Sequence, residues 1–196
     1  TGAMVNLQFS TNNGVAWSNM ATDLVATNES YSWVPDFDYP AVLWRVVSST
    51  NPAVASTNAK PFSVRTSTNT VFTFYVNDGS QVGDAYCTAV GNRANDGAAP
   101  ERPKRDLRDI ISSFQLRGGD TVYVDTGSYV TNAATAFSGF DRGDVERPLR
   151  IIGSSSGTVL RSSSSGVDVL EVSGSRNMSI ENLRLTGGRY GFYVNG

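Results

Sequence analysis

The residue types that carry chemistry in this sequence are a few acids and a few aromatics. The densest acidic group is Asp141, Asp144 and Glu146, within Phe140-Asp141-Arg142-Gly143-Asp144-Val145-Glu146-Arg147. Paired carboxylates can act as acid and base at a glycosidic bond. The plainer reading is a solvated loop with Arg142 and Arg147 as counter-charges. Asp78, Asp84, Asn95 and Asp96 offer the oxygen ligands calcium takes, but their spacing fits no EF-hand-type loop, and turn formation is the simpler use. Calcium is conceivable but not indicated, and no metal or cofactor is expected. Tyr190 and Tyr193 are candidate carbohydrate-binding residues, provided that they point outward. Trp17, Trp33 and Trp44 offer the same chemistry, although core packing in a small domain is their commoner use. No catalytic residue is assigned.

Composition removes other chemistries. The chain has 196 residues and no histidine, which excludes histidine triads, histidine bases and histidine metal ligands. Cys87 is the single cysteine, so no intrachain disulfide forms, and it reads as a small buried hydrophobe. With 16 Lys+Arg against 18 Asp+Glu, no nucleic-acid footprint is present. No apolar run is long enough for a membrane-spanning helix. Arg102, Lys104, Arg105 and Arg108 make a local basic patch, which reads as a solvated face paired with Glu101, Asp106 and Asp109. Asp120 and Asp125 flank an apolar strand and are expected to bond nearby backbone amides.

The elements that must position these residues are mostly strands. Gly, Ser, Thr, Asn and Val dominate, and Lys, Glu and Gln are scarce, so the fold class is all-β. Residues 5–66 carry five alternating runs: Val5–Phe9, Val15–Trp17, Tyr31–Val34, Val42–Val47 and Pro61–Arg65. Asn12-Asn13-Gly14 is a hairpin signal between the first two, and the set predicts a β-sandwich. Residues 67–70 read as a linker, and residues 1–4 as a cloning scar. Val71–Val76 is a further strand. Leu107, Ile110, Ile111 and Phe114 form one apolar stripe, which predicts a helix over 104–117 ended by Gly118-Gly119.

After that helix, apolar strands recur in sets of three. The first set is Asp120–Val124, Ser128–Val130 and Thr135–Phe137; the second is Leu149–Ile152, Thr158–Leu160 and Val169–Val172. The third is Ser179–Leu185 and Gly191–Val194. Such spacing is the mark of a solenoid, in which each coil buries its apolar side only by stacking on the next.

Two resemblances sharpen this reading. Leu7–Trp17 resembles the hairpin of Ig-like or fibronectin-III-like modules of bacterial secreted enzymes, with the first two strands of such modules missing. Gly91–Tyr129, with Gly-Asn-x-x-Asn-Asp-Gly, a proline, the amphipathic helix and Gly-Gly-Asp-Thr-Val-Tyr-Val-Asp-Thr-Gly-Ser-Tyr, resembles the N-terminal capping region of the pectate-lyase-like right-handed parallel β-helix superfamily. Asn177–Leu183 with Gly187-Gly188 resembles a generic coil of that family.

The resemblances imply a small, partial Ig-like β-sandwich over 5–66, then the N-terminal capping α-helix and first coils of a truncated right-handed parallel β-helix over 71–196. They imply a secreted or cell-surface location and a polysaccharide or glycan partner. The implied function is the N-terminal, non-catalytic fragment of a polysaccharide lyase or glycosidase. The alternatives are a non-catalytic adhesin-like surface protein or a carbohydrate-binding module. Family lyases use acidic calcium ligands with an Arg or Lys base, and family hydrolases use converging aspartates; neither constellation is matched here. The chain stops at Gly196 in mid-repeat, which implies truncation and predicts self-association through the uncapped C-terminal coil.

Overall fold

The computed structural model describes residues 2–28 and 30–196. The chain falls into two compact units, Thr1–Thr70 and Val71–Gly196. Strands arranged in several β-sheets make up most of the regular secondary structure. Among the described residues, no helix is long and apolar enough to cross a membrane.

The first unit is an antiparallel sheet of β1 (Met4–Ser10), β2 (Ser18–Val25), β3 (Tyr39–Ser48), β4 (Ala55–Thr57) and β5 (Phe62–Val64). The strand order is β2-β1-β3-β4, with β5 also pairing with β3. The β1–β2 turn falls at Asn13 and Gly14, both at positive φ. The return strand starts at Ser18 rather than Val15. The cause is local: the Ala16 amide donates to the Asn12 side chain, and the Trp17 indole N–H donates to the Gly14 carbonyl, so 15–17 stay in the turn. The strand expected at Tyr31–Val34 is irregular instead. Trp33 is held by ring contacts, 5.5 Å from Phe37 and 5.3 Å from Trp44, rather than by a strand ladder.

The second unit is built from parallel pairs. Its strands are β6 (Thr73–Val76), β7 (Thr121–Val124), β8 (Gly127–Thr131), β9 (Thr135–Phe137), β10 (Leu149–Gly153), β11 (Thr158–Ser162), β12 (Leu170–Ser173), β13 (Met178–Glu181), β14 (Leu183–Gly187) and β15 (Phe192–Asn195). They form three sheets: β6-β7-β10-β13, β8-β11-β14 and β9-β12-β15. From β7 on, each pass of the chain adds one strand to each sheet in the same order. In-register pairing aligns like with like. Phe74 lies over Val122, Val122 over Ile151, and Ile151 over Ile180. Tyr129, Leu160 and Leu185 form the inward file of the middle sheet. Phe137 and Val172 are buried in the third. The segment expected as one strand, Ser179–Leu185, is two strands in two sheets, because Asn182 turns the corner at φ 56°. Connections vary in length: residues 138–148 link β9 to β10, whereas 174–177 link β12 to β13.

One short helix, α1 (Leu107–Ile111), is much shorter than the predicted 104–117. Strand-like pairing claims its expected start, because Lys104 donates its amide to Tyr75 and accepts from the Asn77 amide. Lys104 is also 5% exposed, with Nζ donating to the Arg93 carbonyl, so it is no part of a solvated face. Asp106 caps the helix through the Asp109 amide. Leu107, Ile110 and Phe114 of the predicted stripe are buried, and Phe114 stacks on Phe74 at 4.6 Å.

Buried aspartates tie the passes together. Asp120 accepts from the Phe72 and Arg117 amides. Asp125 is fully buried and accepts from Ala85, Tyr86, Cys87 and Thr126. Burial pushes the Asp125 carboxyl up, but those four amides together outweigh it and hold the group below its ordinary value. Burial pushes the Cys87 thiol upward, and the nearby Asp125 charge adds to it, so this buried cysteine stays a thiol.

Replacing Asp125 with Ala strands four amides, and is expected to cost about 2–4 kcal/mol in urea unfolding followed by circular dichroism. The sign with pH follows from the depressed carboxyl. Its contribution is complete above the ordinary carboxylate value, about 3.9, and fades as pH falls through the native value. The Asp125→Ala variant should therefore lose this part of the acid dependence; an unchanged acid profile would count against the clamp.

Candidate functional site

The third sheet presents its outward file as Ala136, Glu171 and Tyr193, in register across β9, β12 and β15. Alternation dictates this, because Leu170 and Val172 on either side of Glu171 are buried. Tyr193 thus points away from the core. Tyr190, 54% exposed, stacks on it with ring centroids 6.1 Å apart and planes 18° from parallel. The structure brings the two predicted sugar-stacking residues together on one outward surface.

What holds Tyr190 there was not visible in the sequence. Asp168 is 4% exposed and receives both Arg189 Nε (3.0 Å) and Nη2 (2.8 Å), plus the Tyr190 amide (3.2 Å). The fork geometry suits a guanidinium–carboxylate pair. Arg189 in turn lies over the Tyr190 ring, 5.3 Å from its centroid. Backbone bonds from Arg189 to Val167 and from Val169 to Tyr190 fasten the turn onto the pass below. Gly188 sits at φ 75°, and a side chain there would collide with the Val167 carbonyl. The hydrogen bonds from Arg189 hold the Asp168 carboxyl below its ordinary value. Glu171, half-buried beside Tyr193, accepts from Ser173 Oγ at 2.9 Å.

This surface offers an exposed tyrosine pair for contact with the apolar face of a sugar ring, with a guanidinium and a carboxylate nearby for its hydroxyls. Asp168 stays ionised in its ion pair and is no proton donor at neutral pH.

The other predicted acids are not assembled. Asp141 faces inward and accepts from the Leu116 and Ser138 amides, while Asp144 is exposed and pairs with Arg147 at 2.9 Å. Asp78 accepts the Ser80 and Ser128 amides, Asp96 pairs with Arg102, Asn95 donates to Pro103, and Asp84 accepts from Asn77. Among the described residues, no group of three or more His, Cys, Asp or Glu is placed to hold a metal ion. In the first unit, Trp33, Trp44 and Phe62 are linked by ring contacts, and Arg45 lies 4.3 Å over the Trp17 ring.

A second aromatic surface escaped the sequence reading. Tyr75 and Tyr123 stack at 5.9 Å on the outside of the first sheet, and Tyr86 packs on Tyr123 at 4.5 Å. The signal was present in Phe74-Tyr75-Val76 and Val122-Tyr123-Val124, where period two turns each tyrosine outward. Tyr86 gave none, because its place depends on the Asp125 clamp of the 85–87 loop.

Changing Asp168 to Ala should free Arg189 and the 188–191 turn. Hydrogen exchange read by mass spectrometry is expected to rise in peptides covering 167–170 and 188–191, with the β7–β10 pairing unaffected. The same rise is expected in the unaltered protein as pH falls through the depressed Asp168 value, and protection that ignores the substitution would contradict the clamp. Comparison of the chain with protein-family models, with curated proteins and with solved structures finds no match.

Proposed function

We propose that the Val71–Gly196 unit is the N-terminal part of a right-handed parallel β-helix, and that the preceding unit is a partial Ig-like module. In this reading the chain is a non-catalytic, glycan-binding portion of a secreted polysaccharide-acting protein. The three parallel sheets, with one strand per pass and in-register apolar files, support the architecture. So does α1, whose apolar residues pack on β6 and β9. The secreted location rests on the sequence resemblance alone.

The observation that carries the functional reading is the Tyr190–Tyr193 pair. Two near-parallel rings, Tyr193 on an outward sheet face and Tyr190 in the turn before it, backed by an arginine that a buried aspartate holds, suit contact with the apolar face of a pyranose. The acids engaged by backbone amides or arginines support recognition over turnover. Those engagements also favour the second reading, an adhesin-like surface protein, over an enzyme.

Glycan-array binding tests this, followed by titration of the best neutral oligosaccharide against Tyr190→Ala and Tyr193→Ala. Each substitution is expected to weaken binding by about tenfold, the worth of one stacking contact. Unchanged affinity in both variants, or no glycan bound at all, would sink the proposal.

A further inference from the structure

One acid of the second unit lacks the donors that the others have. Asp84 lies part-buried in the chain between β6 and α1, and its Oδ2 accepts from the Asn77 side-chain amide at 2.6 Å. Its Oδ1 is shut off from solvent, and among the described residues no donor reaches it. Asp109 Oδ2 is the other carboxylate oxygen in that condition, but Arg93 stands 3.7 Å from it. Asn77 cannot turn to serve Asp84 further. It is fully buried, its second amide hydrogen goes to the Ala89 carbonyl, and its Oδ1 accepts from the Asp78 amide.

The groups that face Asp84 make its charge worse. They are the carboxyls of Asp125 and Asp78, the Cys87 thiol and the Tyr129 phenol. Arg105 lies against Gly79 at the start of the loop and forms no ion pair with Asp84. A shielded carboxylate with few donors loses hydration that nothing returns, whereas the neutral acid loses far less. Asp125 is the contrast, because four amides reward its charge. Burial pushes the Asp84 carboxyl above its ordinary value; the Asn77 amide pulls the other way, and the Asp125 and Asp78 charges add to the rise.

We propose that Asp84 is a proton-operated latch on the 79–89 loop: a proton on Oδ1 keeps the loop closed against Asn77, and its loss to solvent loosens the loop. That loop carries Tyr86, which packs on Tyr123, and Asp78 and Gly91 beside its two ends line the open cleft. The sign is opposite to that of Asp125. The contribution of Asp84 is complete below the ordinary carboxylate value, about 3.9, and is lost as pH rises through its raised native value. The loop is therefore held most firmly near pH 4, with Asp125 setting the acid limb and Asp84 the neutral one.

Hydrogen exchange of the whole chain, read by mass spectrometry from about pH 3.5 to about pH 8 and corrected for the intrinsic pH dependence of exchange, tests this. Peptides covering 79–89 are expected to lose about threefold or more in protection between about pH 4 and about pH 7. In Asp84→Asn, which keeps an acceptor for Asn77 and carries no charge, that loss should disappear. Asp144→Asn removes an exposed acid elsewhere and should leave the loss in place. A carbon-13 titration of the Asp84 carboxyl in the unaltered chain reads the same group without depending on how any variant folds. The proposal is overturned if the loop's protection is flat over that range, if the loss persists in Asp84→Asn, if Asp144→Asn abolishes it, or if Asp84 titrates at or below the ordinary carboxylate value.

Discussion

Stacked parallel strands satisfy their backbone within each sheet, but the corners between sheets leave amides that no ladder reaches. In the second unit, buried carboxylates fill that need. Asp120 takes two amides, Asp125 four, Asp141 two, and Asp168 one amide and an arginine. A charged acceptor is stronger than a neutral one, and several donors on one carboxylate offset its desolvation. These bonds also join distant stretches of chain: Asp125 fastens 85–87, and Asp120 fastens Phe72. These corner bonds lie beside the apolar files that the paired strands align.

From that constraint the surface chemistry follows. With inward positions claimed by Val, Ile, Leu and Phe, alternation places every other side chain outside. The three sheets thereby acquire different faces: tyrosines on the first, arginines on the second, and the Tyr193–Glu171 file on the third. The strands fix lateral spacing at the strand separation, about 4.8 Å.

Much of the second unit was legible in the sequence because period-two alternation and Gly/Asn corners are local signals. β9 appears with the bounds read from Thr135–Phe137, and β7, β8, β10, β11 and β12 differ by one or two residues at their ends. The split at Asn182 was missed, because an asparagine in the left-handed region looks like any polar residue within an alternating run. The helix was read too long because its apolar stripe continues through Phe114, while Lys104 is claimed by pairing with residues almost thirty positions earlier. In the first unit, the Trp17 and Trp33 segments read as strands, but ring packing and side-chain bonds within the turn govern them. At the candidate site the two tyrosines were legible and the Asp168–Arg189 pair was not. Nothing in the sequence links residues 21 positions apart until the pass of chain between them closes.

The corner connecting the third sheet back to the first is long after β9 and short after β12, yet β10 and β13 pair residue for residue. Alignment is thus independent of how much chain the corner holds. Lengthening a loop costs little in closure entropy. Such corners are where this architecture can gain or shed whole segments over evolutionary time, acquiring new surface features while inherited neighbours keep their places.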